Sequence, residues 1–74
     1  MDDKQKKLSE VLRSKRYENN LTQEKAAELL ALSARHYREL ESGRSLPAFK
    51  TICKLAKTYE IDFAQFVEDE EDII

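Results

Sequence analysis

Backbone punctuation is nearly absent from this chain: Gly43 is its one glycine and Pro47 its one proline in 74 residues. Strand-rich folds draw their tight turns from these residue types, and no run of β-branched residues alternating with polar ones occurs here. Apolar residues instead recur three and four apart, the spacing of one helix face. We therefore expect an all-α domain, a compact five-helix bundle with short connections.

Leu8, Val11 and Leu12, followed by Tyr17, define a first helix from Lys4 to about Glu18. Thr22 is a suitable N-cap for a second helix with Ala26, Ala27 and Leu30 inward, and Glu24 in its first turn favours the helix dipole. That helix should end near Leu30. Ser33 caps a third, which places Tyr37 and Leu40 on one side with Leu32 just before it. Gly43 and Pro47 bracket a loop, and Phe49, Ile52, Cys53, Ala56 and Tyr59 trace the expected inward stripe of a fourth helix. A fifth is expected from Asp62, where Asp62 and Gln65 have capping-box spacing, burying Phe63, Phe66 and Val67.

The chain is long enough for one small domain and too short for two. Cys53 has no cysteine companion for a disulfide or a zinc site, so packing must supply the stability. The opening MDDKQKKLSE lacks the apolar core of a signal peptide. The longest apolar run, Leu29 to Leu32, falls far short of the roughly 20 residues that cross a bilayer. A soluble cytoplasmic protein without cofactor or membrane partner is expected. The formal net charge of −2 is unevenly spread. Glu68 to Asp72 hold five of the 15 acidic residues, leaving 13 basic against 10 acidic in residues 1–67. The expected organisation is a mildly basic domain, 1–67, and an acidic tail, 68–74. The tail could aid solubility, compete for a basic surface, or be the remnant of a linker.

Two short helices joined by a tight turn, the second basic on its outer side, form the pattern of a DNA-reading helix-turn-helix. The segment LTQEKAAELLALSARHYRELESGRSLPAFKTICKLAKTYEID resembles the Cro and phage-repressor (XRE-type) helix-turn-helix family. The matching residues are Leu21, Thr22, Gln23, Glu24, Ala27, Ser33, Glu41, Gly43, Pro47, Lys54, Leu55 and Ala56. The resemblance covers about residues 5–67 and implies a lambda-repressor-like domain that binds double-stranded DNA with the helix over residues 33–42 in the major groove.

At about 100° per residue, with Tyr37 inward, Arg35 and Glu39 lie on the opposite face of that helix. The resemblance places Ala34, Arg35, His36 and Glu39 in base-facing positions. Arg35 is the first choice for direct readout, because its planar fork can donate twice to guanine O6 and N7. Glu39 could accept from cytosine N4, hold Arg35 as an i,i+4 partner, or simply be solvated. Ala34 could meet a thymine methyl or only start the helix. His36, the one histidine, suits a hydrogen bond at the groove edge or backbone better than a metal. Expected phosphate contacts are Thr22 and Gln23, then Arg38, Ser42, Arg44, Ser45 and Lys50; for Thr22 capping, and for Lys50 solvation, are the plainer roles. Arg16 continues the Leu8–Leu12 stripe and Glu41 lies near the inward direction, so we expect a structural ion pair between them, away from any base.

Departures from the family pattern carry expectations of their own. Asn20, Ala31 and Glu60 stand where glycine is usual, which for Ala31 implies a tighter or differently shaped turn between helices two and three. Tyr37 needs a hydroxyl partner if buried. One recognition helix reads about one half-site, so a homodimer is expected, formed through Phe63, Phe66, Val67, Ile73 and Ile74. The competing reading is a protein-interaction module, antitoxin-like or an assembly subunit, on the same fold. Catalysis is not expected, since neither Cys53 nor any serine has an evident base beside it and no glycine-rich phosphate loop exists.

Overall fold

In a computed structural model, residues 3–67 are described, and all their regular structure is helical. The order is α1 (Asp3–Glu18), α2 (Gln23–Leu29), α3 (Ala34–Glu41), α4 (Phe49–Thr58) and α5 (Ala64–Val67). α3 packs against both α1 and α2. The core gathers Leu8 and Leu12 from α1, Ala26, Ala27 and Leu30 around α2, Tyr37 and Leu40 from α3, then Leu55, Tyr59 and Ile61. The alanines at 26 and 27 explain the close α2–α3 approach: side chains of one methyl let the backbones near one another.

Each helix ends where local chemistry ends it. Thr22 and Ser33 hold extended backbone, and their hydroxyls accept from the Lys25 and His36 amides at 3.1 and 3.0 Å. α1, α2 and α3 close alike, with a left-handed residue followed by a 6→1 backbone bond: Leu21 to Arg16, Leu32 to Ala27 and Arg44 to Glu39. The third has the residue best suited to it, Gly43 at φ 82°, and the first has Asn20, which tolerates that conformation. Asn20, Ala31 and Glu60 take the same hand at φ 56°. The turn between α2 and α3 is thus not reshaped as expected from Ala31. It keeps the glycine geometry, because the Leu32 amide and the buried Leu30 hold the chain there.

Other expectations need correction. The inward side of α4 is Thr51, Leu55 and Tyr59, with Ile52 half-buried. Phe49 is 80% exposed, and Cys53 and Ala56 also face outward. Tyr17 is exposed and lies beneath the Arg16 guanidinium, 4.6 Å from ring centre to Cζ. α5 starts at Ala64, not Asp62. The Asp62 carboxylate accepts from the Ala64 amide at 3.0 Å, and Gln65 donates to the Asp62 carbonyl in place of accepting from its amide, so the capping box is incomplete. Phe63 and Phe66 are half-buried against the core. The Val67 side chain and the acidic tail, including Ile73 and Ile74, lie outside the described residues.

Candidate nucleic-acid interface

The site is assembled from a buried charge network beneath and a basic groove above. Arg16 of α1 grips the Glu41 carboxylate with two donors, Nε to Oε2 and Nη2 to Oε1, both at 2.9 Å. The side chains are 11% and 4% exposed. Arg16 also donates to the Leu21 carbonyl at 3.1 Å. Ser9 donates to the Glu41 backbone carbonyl, and Arg13 supports Ser9 at 3.1 Å. The Tyr37 and Tyr59 hydroxyls meet at 2.8 Å, giving the inward tyrosine of α3 its partner. Among the described residues no buried side-chain nitrogen or oxygen lacks a partner, which is the condition for charge in a core to be tolerable.

Burial pushes the Glu41 carboxyl upward, but hydrogen bonds from Arg16, Tyr37 and Gln23 outweigh it and hold the group below its ordinary value. The hydrogen bond to Glu41 raises Arg16 despite its desolvation. Burial raises Tyr37 far above the usual tyrosine range. The pair is therefore ionised, and the tyrosines neutral, at neutral pH.

One bond connects this network to the surface. Gln23 Nε2, on the first residue of α2, donates to Glu41 Oε1 at 3.2 Å. Glu41 is thus shared between Arg16 beneath and Gln23 above, a link between core and surface that the spacing of the residues does not reveal. Gln23 then lines an open groove of about 420 Å³ together with Arg35, Arg38, Glu39, Ser42 and Arg44. The Arg35 side chain is 85% exposed, with Nε 3.7 Å from Glu39 Oε2. Arg38 reaches across to α2, where Nη1 is 3.7 Å from Glu24 Oε2. Glu24 was not among the expected site residues, since only the relative placement of α2 and α3 brings it to Arg38. Exposed pairs at this separation are worth about 0–1 kcal/mol, so an incoming phosphate can displace either carboxylate. Ser42 donates to the Glu39 carbonyl at 3.0 Å, and the left-handed Gly43 turns the chain so that Arg44 closes the groove.

The remaining expected residues lie outside the groove lining. Thr22 is exposed and engaged as the α2 cap, Ala34 and His36 are half-buried at the start of α3, Ser45 is half-buried in the loop, and Lys50 is exposed in the first turn of α4. Among the described residues there is no cluster of histidine, cysteine or carboxylate side chains suited to a metal. No described helix is long and apolar enough to cross a membrane.

Comparison with known proteins accords with this architecture. A family model described as helix-turn-helix matches residues 12–66. The ImmF control region 10 kDa protein of Bacillus phage phi105 is 35% identical over 57 residues, 77% of this chain and 63% of that protein. The cryptic phage CTXphi transcriptional repressor RstR of Vibrio cholerae is 35% identical over 64 residues, 86% of this chain and 58% of that protein. The chain thus spans about three fifths of the length of these curated relatives. No solved structure matches it significantly. With α2, its turn and α3 all inside the matched region, the chain belongs to the helix-turn-helix family, in its Cro and phage-repressor branch.

Proposed function

We propose that this chain is the DNA-binding domain of a transcriptional regulator, a cytoplasmic repressor of bacterial or phage type acting as a homodimer on a pseudo-palindromic operator. The observation that carries the reading is the groove itself. Three arginines from α3 and the following loop converge with the first residue of α2 on one open surface. The outer side of α3 enters the major groove, with Arg35 donating to a guanine and Ala34, His36 and Glu39 facing neighbouring bases. Gln23, Arg38, Ser42 and Arg44 hold phosphates from the rim, aided by Thr22, Ser45 and Lys50. Residues 1–67 form the binding domain, and the acidic segment 68–74 serves as a solubilising tail. Both named relatives belong to phage control systems, one of them called a transcriptional repressor, which supports the assignment.

The carboxylates of Glu24 and Glu39 beside Arg38 and Arg35 favour a second reading, a protein-interaction module whose groove takes an arginine- or carboxylate-bearing partner. Selection of random duplexes by the purified protein, followed by salt titration of the best one, separates the two. Recovery of a symmetric site whose affinity falls steeply with salt supports DNA binding. Failure to enrich any duplex at low salt supports the protein partner.

A further inference from the structure

The outward side of α4 carries the residues that its apolar pattern had marked for the core. With Leu55 inward, Phe49, Ile52, Cys53 and Ala56 lie on one flank, while Lys50, Lys54 and Lys57 lie on the other, separated by roughly 100° around the axis. Leu46, 61% exposed, adjoins this flank just before the helix, and Phe49 is 80% exposed. No charged residue interrupts the set Leu46, Phe49, Ile52, Cys53 and Ala56. Beside it an apolar groove of about 240 Å³ is bounded by Leu8, Leu46, Pro47, Ile52, Phe63 and Phe66, with Lys4 at its edge. A continuous apolar surface of this kind on a small domain marks a contact with another macromolecule.

We propose that this flank is where a second copy of the chain docks, α4 against antiparallel α4, about a two-fold axis passing near Cys53. The inference rests on the DNA-binding reading, since a palindromic operator presents its half-sites in two-fold relation. The stripe is suited to contact with itself. Reversal about the midpoint between Ile52 and Cys53 sets the large Phe49 of one copy over the small Ala56 of the other and Ile52 over Cys53, and the symmetry repeats both contacts. Leu46 of each copy then lies near the groove beside the other's helix. Antiparallel axes oppose the helix dipoles favourably, and the lysines stay on the far flank. An acidic or basic peptide would find no complementary charge on the flank itself. A ten-residue helix is only about 15 Å long, so the contact covers less than the ~800 Å² per partner of a stable complex. The dimer is consequently weak in solution and is completed on the operator. The contact uses Phe63 and Phe66 only as walls of the groove, which moves its centre from the C-terminal helix to α4.

Cys53 provides the test. The full chain treated with a short bis-maleimide should yield a covalent dimer on a denaturing gel, and Cys53→Ser should abolish it. In sedimentation equilibrium Phe49→Glu should raise the dimer dissociation constant by about a hundredfold or more, because a symmetric interface loses each contact twice. Ala56→Arg should act in the same direction. A change in helical circular dichroism is not expected for either, both positions being exposed. Wild-type protein that sediments as a monomer both free and on a full operator, or a dimer indifferent to both substitutions, overturns the proposal. Binding of a single half-site duplex separates the two inferences. Monomeric Phe49→Glu that still binds it leaves the DNA reading intact, whereas a wild-type dimer that binds no duplex overturns that reading and leaves the dimer standing.

Discussion

Replacing Glu41 by alanine should be the most damaging single substitution available outside the apolar core. It deletes both 2.9 Å bonds to Arg16 and the 3.2 Å bond from Gln23. The guanidinium, in a side chain 11% exposed, is left with the Leu21 carbonyl as its acceptor among the described residues. Removing one partner of a buried ion pair costs about 3–5 kcal/mol, because the other charge stays desolvated. A domain of this size has a total stability of about 4–11 kcal/mol at 0.05–0.15 kcal/mol per residue. Between about a quarter and the whole of it is therefore at stake. At about 4–8 °C per kcal/mol for a small domain, Tm should fall by about 12 °C or more. The assay is thermal and urea unfolding followed by circular dichroism. The double variant Arg16→Met/Glu41→Leu should regain most of the loss, because it removes both charges and not one. A Tm for Glu41→Ala within about 4 °C of wild type would refute the argument, since that corresponds to at most about 1 kcal/mol.

Four further outcomes are expected. Glu41 titrates below its ordinary value of 4.5 when folded, so its contribution is fully present above that pH and is lost as pH falls through the folded value; Glu41→Gln should flatten the acid limb of a stability-against-pH curve. Ala31→Gly should raise stability by about 1 kcal/mol in urea unfolding, because φ 56° carries a Cβ penalty there. Arg35→Ala should lose about 1–3 kcal/mol of discrimination at one base pair in a repeat of the duplex selection, with the rest of the site unchanged. Arg44→Ala should weaken all duplexes alike and reduce the salt slope by about 0.9, the value of one phosphate contact.

Much of the domain could be read from residue order because most of its signals are local. Thr22 and Ser33 cap the helices they were expected to cap, and Ala26, Ala27, Leu30, Tyr37 and Leu40 face inward as their spacing requires. α4 shows where periodicity fails. Phe49, Ile52, Cys53, Leu55, Ala56 and Tyr59 spread apolar residues over about 160° of its circumference, so spacing alone leaves the inward direction within that arc open. The direction was decided by the neighbours of α4, which bury Thr51 and Leu55 and leave Phe49 and Cys53 outside. Tyr17 misled in the same way, its apolar ring serving as a platform for Arg16 and not as core. At the groove, Arg35 and Glu39 could be paired from helical spacing, whereas Glu24 with Arg38 and Gln23 with Glu41 join different helices. Contacts between elements depend on how the elements pack, and local patterns do not carry that information.

Amide chemical-shift mapping with the selected duplex tests the central claim, that the outer side of α3 and its rim are the DNA-reading surface. The account predicts that the largest perturbations fall on residues 34–39, on Thr22 and Gln23, and on Ser42 to Ser45, with the Arg35 side-chain Nε among the most affected. Perturbations confined to the α4 flank or to α1, with residues 34–39 unmoved at saturation, would contradict it.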